Sequence, residues 1–318
     1  MSKDRVAVVG VGNVGATTAY ALLLSGLAPD IVLINRDRNK AEGEAEDISH
    51  AEPWSHTTLV RAGDFEDCAD AKVIVVTVGA GLRSGETRLD LLKKNAAIFR
   101  DVIPRIAATN TQGILLIATN PVDALTHYAR ILSGFESGRV VGSGTILDTA
   151  RLRVLLGGHY GVDPQSVHAY IVGEHGDSQV PVWSAARIAG LPIDEFCLKR
   201  GLAYDKAALD EIALKTRNAY YRIVGQKGAT FYGIASGLVR VVRSILRDQN
   251  TVLTVGSKMP EALGLGDVTM SFPTIVNALG IGGVVPVNLD PAEREAVTRS
   301  SAAIRSQIAA MEEAPATS

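Results

Sequence analysis

The sequence predicts a doubly wound α/β protein: a parallel sheet covered by crossover helices, followed by a smaller α+β unit. Three observations carry this. Short β-branched runs alternate with helix-compatible stretches through about residue 144, a glycine-rich turn joins the first run to the first helix, and the rhythm changes beyond that point. The units are read as residues 1–144 and 145–318.

The predicted strands of the first unit are residues 5–10, 31–35, 72–78, 113–118 and 139–142, each a short apolar run. Between them, residues 13–25, 39–50, 89–108 and 122–132 place apolar side chains at spacings of three and four, the period of a helix packed on one face. Beyond Gly144 the pattern predicts a helix over 146–156, a strand over 166–172, and longer helices across 209–247. Antiparallel strands are expected at 251–256 and 268–276, a closing helix at 291–311, and a frayed tail at 313–318. No repeat or Ser/Gly linker separates the halves, so they are expected to pack closely.

The chain has 318 residues, 47% of them hydrophobic and 21% charged, which describes a globular protein with a sizeable core. With 32 Lys and Arg against 34 Asp and Glu, it has no cationic excess to hold a phosphate backbone, so nucleic acid is not expected as a partner. No apolar run approaches the roughly 20 residues needed to span a bilayer, and the N-terminus has no signal-peptide pattern. Two cysteines, Cys68 and Cys197, fit a cytoplasmic protein without a disulfide framework. No metal site is expected.

Gly10-Val-Gly12-Asn13-Val14-Gly15 follows a strand and opens a helix, the setting of a dinucleotide-binding turn in a Rossmann-type sheet. Gly10 permits the tight turn, Gly12 lets the backbone approach a pyrophosphate, and Gly15 allows close helix packing. The helix start offers unpaired N–H groups to the phosphates. At the end of the second strand, where an acid usually binds the ribose, stands Asn35, with Arg36 beside it. Asn35 can still bond a ribose hydroxyl, but it lacks the charge that would repel a 2′-phosphate. NAD is favoured, and NADP tolerance stays open alongside an Arg36 that merely faces solvent.

Val172-Gly-Glu-His175-Gly-Asp-Ser178, Ala118-Thr-Asn120-Pro-Val-Asp123 and Gly142-Ser143-Gly-Thr-Ile-Leu-Asp148-Thr-Ala-Arg151 stand in that company. With Gly85-Glu-Thr-Arg88-Leu-Asp and Lys227-Gly-Ala-Thr230, they resemble the L-lactate dehydrogenase branch of the lactate/malate dehydrogenase superfamily. The resemblance runs from about Val6 to the closing helix, in order and spacing. It implies hydride transfer between NAD(H) and a small 2-oxo or 2-hydroxy acid, pyruvate and L-lactate first among them. That chemistry needs a proton for the developing alkoxide, a group polarising the carbonyl, and a clamp for the carboxylate.

His175 is the expected acid/base, since imidazole titrates near neutral pH. Asp148 would fix its tautomer and stabilise the imidazolium. Asp148 and Arg151 are three apart on a helix and share a face; Arg151 would clamp the carboxylate through two parallel bonds, and an intrahelical ion pair on a solvated surface is the plainer alternative. Arg88, at the end of the glycine-bearing stretch 79–85, would polarise the carbonyl from a closing lid. By resemblance, Asn120 and Ser143 contact the nicotinamide or substrate oxygens, Ile234 packs on the nicotinamide face, and Thr230 limits the pocket as in lactate enzymes.

Six residues before Arg88, where the family sets substrate choice with glutamine for lactate or arginine for malate, this chain has Leu82. An apolar side chain cannot pair with the second carboxylate of oxaloacetate. Malate dehydrogenase is thereby disfavoured, although Arg83 could take that place if the register slips. Leu82 could instead admit a larger aliphatic 2-oxo acid, each buried methylene contributing roughly 0.8 kcal/mol, or be a tolerated substitution.

Arg153, about 200° around the helix from Arg151, is expected to face outward. With His168 it matches positions that bind fructose 1,6-bisphosphate between subunits in bacterial relatives; two ordinary surface cations are the alternative. A homotetramer is implied by resemblance. The reading of a different class, a nucleotide-sensing protein without catalysis, is opposed by the joint presence of His175, Asp148, Arg151 and Arg88.

Overall fold

A computed structural model describes residues 4–81, 85 and 87–312. The expectations placed on Leu82, Arg83 and the tail 313–318 lie outside the described residues, as does the side chain of Arg88.

The first half runs β1 (Arg5–Val9), α1 (Asn13–Ser25), β2 (Asp30–Ile34), α2 (Arg38–Ser49), β3 (Leu59–Gly63), β4 (Ala71–Val76), α3 (Arg88–Thr109), β5 (Ile114–Ile117), α4 (Val122–Ser133) and β6 (Val140–Gly142). These six strands pair in parallel in the order β3-β2-β1-β4-β5-β6. Because β1 lies at the centre, the chain winds outward twice and leaves a crevice where the strand order reverses. Alternation along single strands shows both faces to be covered: Ala7, Val9, Ile74 and Val76 enter one core, Val6, Val8, Val73 and Val75 the other.

Local chemistry sets the helix ends. Asp37 caps α2 by accepting from the Lys40 amide, and Thr87 with Asp90 forms a reciprocal capping box at the start of α3. Gly26 ends α1 in the left-handed region at φ 60°.

The second half runs α5 (Ile146–Tyr160), β7 (Val167–His168), β8 (Ile171–Val172), β9 (Val180–Pro181), β10 (Arg187–Ile188), β11 (Leu191–Pro192), α6 (Ile193–Arg200), α7 (Lys206–Lys227), α8 (Tyr232–Leu246), β12 (Thr251–Lys258), β13 (Thr269–Asn277), β14 (Gly280–Val284) and α9 (Pro291–Glu312). The strand expected over 166–172 is two short strands with different partners, β7 on β10 and β8 on β9, since the chain changes sheet at Ala169 and Tyr170. The helical stretch 209–247 is two helices parted at Gly228, whose φ of 82° ends α7.

Strands β12, β13 and β14 do not form a sheet of their own. Gly256 on β12 pairs antiparallel with Gly142 on β6, so the parallel sheet continues into an antiparallel meander of the second half, nine strands among the described residues. Helix α8 lies on the α1 face of that sheet, with Leu238, Val239 and Val242 in the same core as Leu22 and Leu23. A third core, built on Leu152, Leu156, Phe196, Leu209 and Ile212, joins α5 to α6 and α7.

Candidate active site

The loops after β1, β4, β5 and β6 all leave the carboxyl ends of parallel strands and so lie along one rim of the sheet. The first is the glycine turn. Gly10 has φ 100°, and a Cβ there would come within 2.7 Å of the Val78 amide nitrogen. A Cβ on Gly15 would lie 1.9 Å from the Gly10 carbonyl oxygen. Gly12 differs: its Cβ would meet nothing within 4 Å among the described residues.

The fold itself therefore requires glycine at 10 and 15, while the space over Gly12 is open. Helix α1 begins there without a side-chain cap, leaving the first-turn N–H groups around Asn13 and Val14 available. An uncapped helix start beside an open notch fits the pyrophosphate of a dinucleotide.

Asn35 is turned inward to this loop. Its Oδ1 accepts from the Val11 amide at 3.4 Å and its Nδ2 donates to the Asp37 carbonyl at 3.0 Å. The side chain expected to reach for a ribose hydroxyl thus also ties the glycine turn to the end of β2. Arg36 is exposed beside it.

The second group of residues surrounds His175. Asp148, in the first turn of α5, is 3% exposed. Its Oδ2 lies 2.5 Å from His175 Nδ1, and its Oδ1 accepts from Arg151 at 2.9 Å. One carboxylate therefore bridges the imidazole and the guanidinium. The ion pair between Asp148 and Arg151 exists, but it is not on a solvated surface: the side chains are 4% and 12% exposed.

Burial alone would raise the Asp148 carboxyl, but the charge and hydrogen bonds of His175 and Arg151 hold it below the usual carboxylate range. For His175, burial pushes the imidazole down and the Asp148 carboxylate pushes it up, with Asp123 adding to the rise. The net is upward.

The backbone of His175 is held as firmly as its ring. Its amide donates to Asp123 Oδ2 at 2.7 Å, and the preceding Gly173 pairs with Ser271 on β13. Glu174, 7% exposed, accepts from Ser178 and, at 2.6 Å, from Gln307 on α9, while its own amide donates to Ser300. The sequence motifs contained Asp123 and Glu174 without assigning either a role. Asp123 stands between Val122 and Ala124 and Glu174 between Gly173 and His175, and only the fold shows that both are buried.

The loop after β5 carries Asn120, joined to Pro121 by a cis peptide bond. Its carbonyl accepts from Asn95 Nδ2 at 2.7 Å, and Asn95 Oδ1 accepts from the Ala80 amide at 2.7 Å. Asn95, 1% exposed, thus links the loops that follow β4 and β5, and the sequence reading passed over it because it lies mid-helix. Ser143 is buried after β6, its amide bonded to the Ile117 carbonyl at 2.7 Å.

Thr230 and Ile234 are half-buried where α8 begins. A Cβ on Gly233 would lie 2.8 Å from Leu147 Cδ1, so glycine lets the start of α8 press on the first turn of α5, next to Asp148. Arg88 opens α3.

Arg153 does not project freely. Its Nε donates to the Ala169 carbonyl at 3.1 Å and its guanidinium lies over Tyr170, because the β7–β8 segment covers this face of α5; burial lowers its pKa. That bond places it one residue from the exposed His168, which pairs with Arg187 on β10.

The chain matches two adjoining family descriptions: lactate/malate dehydrogenase, NAD binding domain, over residues 4–142, and lactate/malate dehydrogenase, alpha/beta C-terminal domain, over residues 145–314. It is 48% identical over 304 residues to a probable L-lactate dehydrogenase of Schizosaccharomyces pombe, covering 96% of this chain and 92% of that one. It is also 48% identical over 310 residues to the L-lactate dehydrogenase of Thermus aquaticus, covering 96% and 99%. Among solved structures, the minor L-lactate dehydrogenase of Enterococcus mundtii superposes with a TM-score of 0.94 at 37% identity, covering 97% of this chain and 98% of that one. A lactate dehydrogenase from a deep-sea metagenome library gives 0.93 at 37% identity, covering 98% and 100%.

Proposed function

This chain belongs to the lactate/malate dehydrogenase family, and from that premise we propose that it is an NAD-dependent L-lactate dehydrogenase with His175 as its acid/base. The observation that carries the reading is the buried bridge from His175 through Asp148 to Arg151. When bound, the nicotinamide cofactor supplies the hydride. Gly10, Gly12, Asn13, Val14 and Gly15 would hold its phosphates, Asn35 its ribose side, and Asn120, Ser143 and Ile234 its nicotinamide end.

Asp148 holds Nδ1 of His175, which leaves Nε2 as the nitrogen facing the substrate oxygen. In pyruvate reduction Nε2 gives its proton to the developing alkoxide, and Asp148 stabilises the imidazolium beforehand. Arg151 spends one N–H on Asp148 and keeps others for the substrate carboxylate. Arg88 is assigned to polarising the carbonyl, and Thr230 and Leu82 to substrate choice. Burial of the Asp148–Arg151 pair keeps these groups in a medium where each charge acts strongly.

We infer that NADP is tolerated alongside NAD, because Asn35 carries no charge to repel a 2′-phosphate and Arg36 is exposed beside it. The two unpaired cysteines, Cys68 and Cys197, support a cytoplasmic location. The resemblance supports a homotetramer, and Arg153 beside His168 supports a fructose 1,6-bisphosphate site between subunits.

One set of rates tests these readings. We expect kcat/KM with NADH to be highest for pyruvate, lower for 2-oxoisocaproate and lowest for oxaloacetate, with measurable activity from NADPH and a lower pyruvate KM when fructose 1,6-bisphosphate is added. Preference for 2-oxoisocaproate would make Leu82 the residue that selects a larger acid, and preference for oxaloacetate would overturn the pyruvate reading. His175→Asn should lower kcat by roughly 100- to 10,000-fold while NADH still quenches protein fluorescence. A variant with full turnover would remove His175 from the mechanism.

A further inference from the structure

Asp123 is a titratable group beside His175 that pyruvate reduction leaves unused. It is 2% exposed, in the first turn of α4, and its Oδ2 accepts the His175 amide at 2.7 Å. Its Oδ1 is buried with no hydrogen-bond partner among the described residues. A merely structural anchor for one N–H needs only an amide or hydroxyl oxygen. A buried carboxyl with one oxygen unmatched is a costly substitute.

Two positive features meet that carboxyl. The start of α4 has no side-chain cap, so the positive end of its dipole faces the first turn. The other is His175 itself. The charged groups around the pair are Asp148 and Arg151 from α5 and Glu174 from the loop after β8, and the titratable His127 stands one turn further along α4. Arg151 already pairs with Asp148, and Glu174 is bonded to Ser178 and Gln307. The bond to the His175 amide sets the Asp123 carboxylate beside that imidazole, whose protonated form its charge can answer.

We propose that Asp123 is a positioning residue that, with Asp148, holds His175 in its proton-carrying form, fixing the backbone through one oxygen and stabilising the ring through its charge. The direction follows from electrostatics: once Asp123 ionises, around pH 7 and above, a second carboxylate favours the imidazolium and extends upward the pH range in which His175 can donate. The proposal deepens the acid/base reading given above and rests on it.

The test compares the wild type with Asp123→Asn, which keeps an acceptor for the His175 amide and removes the charge, and with Asp123→Ser, which keeps a smaller acceptor. In kcat/KM profiles, the falling limb of pyruvate reduction and the rising limb of lactate oxidation should both move to lower pH, by about one unit. NADH affinity should stay within about twofold, since Asp123 is read as acting on His175 and not on the cofactor. Limbs that superimpose on the wild type would overturn the proposal and leave Asp123 a backbone anchor.

Titration of the His175 ring by NMR in histidine-labelled protein reads the same shift without turnover. A wild type inactive on pyruvate would thus remove the activity reading while this inference was still decided. If neither variant folds, the wild-type titration decides: a His175 midpoint at or below the ordinary imidazole value of about 6.5 would overturn the proposal.

Discussion

At the scale of single residues, Asp123 and His175 both hold their protons more tightly in the folded state. Burial pushes the Asp123 carboxyl from 3.8 up to about 7. Between those values the folded chain binds more protons at this site than the unfolded chain, so the contribution of Asp123 to stability falls as pH rises through that window and is level above it. Asp123→Asn removes this dependence. We expect its thermal midpoint, relative to the wild type, to climb from pH 5 to pH 8, measured by differential scanning calorimetry in low-salt buffers. A constant difference would show Asp123 to be charged throughout.

The residues around this position were unequally legible. His175, Asp148 and Arg151 stand in distinctive spacings, and the fold joins them by bonds of 2.5 and 2.9 Å. Asp123, Asn95 and Glu174 owe their roles to burial and to partners 52, 25 and 133 residues away, which no local pattern encodes.

At the scale of elements, the glycine turn separates demands of folding from demands of a ligand. Gly15→Ala would drive a methyl into the Gly10 carbonyl and should destabilise the chain by about 3 kcal/mol, seen as a lower thermal midpoint. Gly12→Ala meets open space, so it should leave the midpoint within about 2 °C while weakening NADH binding measured by fluorescence. Loss of stability in Gly12→Ala, with affinity kept, would contradict the assignment of that notch to phosphates.

The elements read correctly from the sequence are continuous apolar runs, such as β1 and β4, and helices with one clear apolar face, such as α4. Strand β3 escaped notice because Leu59–Gly63 carries an arginine, a glycine and an exposed leucine at the sheet edge. Strand β14 is masked by three glycines in five residues, and α6 spans only two turns. Each is held by its neighbours more than by its own propensity.

At the scale of the whole molecule, the nine-stranded sheet crosses from one half of the chain to the other. The sequence rhythm divided the chain near residue 144 but could not reveal that β12 would return to β6, because pairing across 114 residues leaves no periodic trace. Leu238, Val239 and Val242 of α8 share a core with Leu22 and Leu23 of α1, so neither half buries its apolar surface alone. We expect one cooperative thermal transition, and aggregation of a fragment comprising residues 1–144. Two resolved transitions would show the halves to be independent.

The path of α9 has a consequence during synthesis. Gln307 on that helix bonds Glu174, and Ser300 bonds the Glu174 amide, immediately before His175. On the ribosome, the first six strands can emerge and pair, but β6 keeps an open edge until β12 has been made, and the histidine loop stays unanchored until α9 leaves the exit tunnel. A nascent chain stalled before residue 300 should therefore be able to collapse around its parallel strands while remaining unable to turn over substrate.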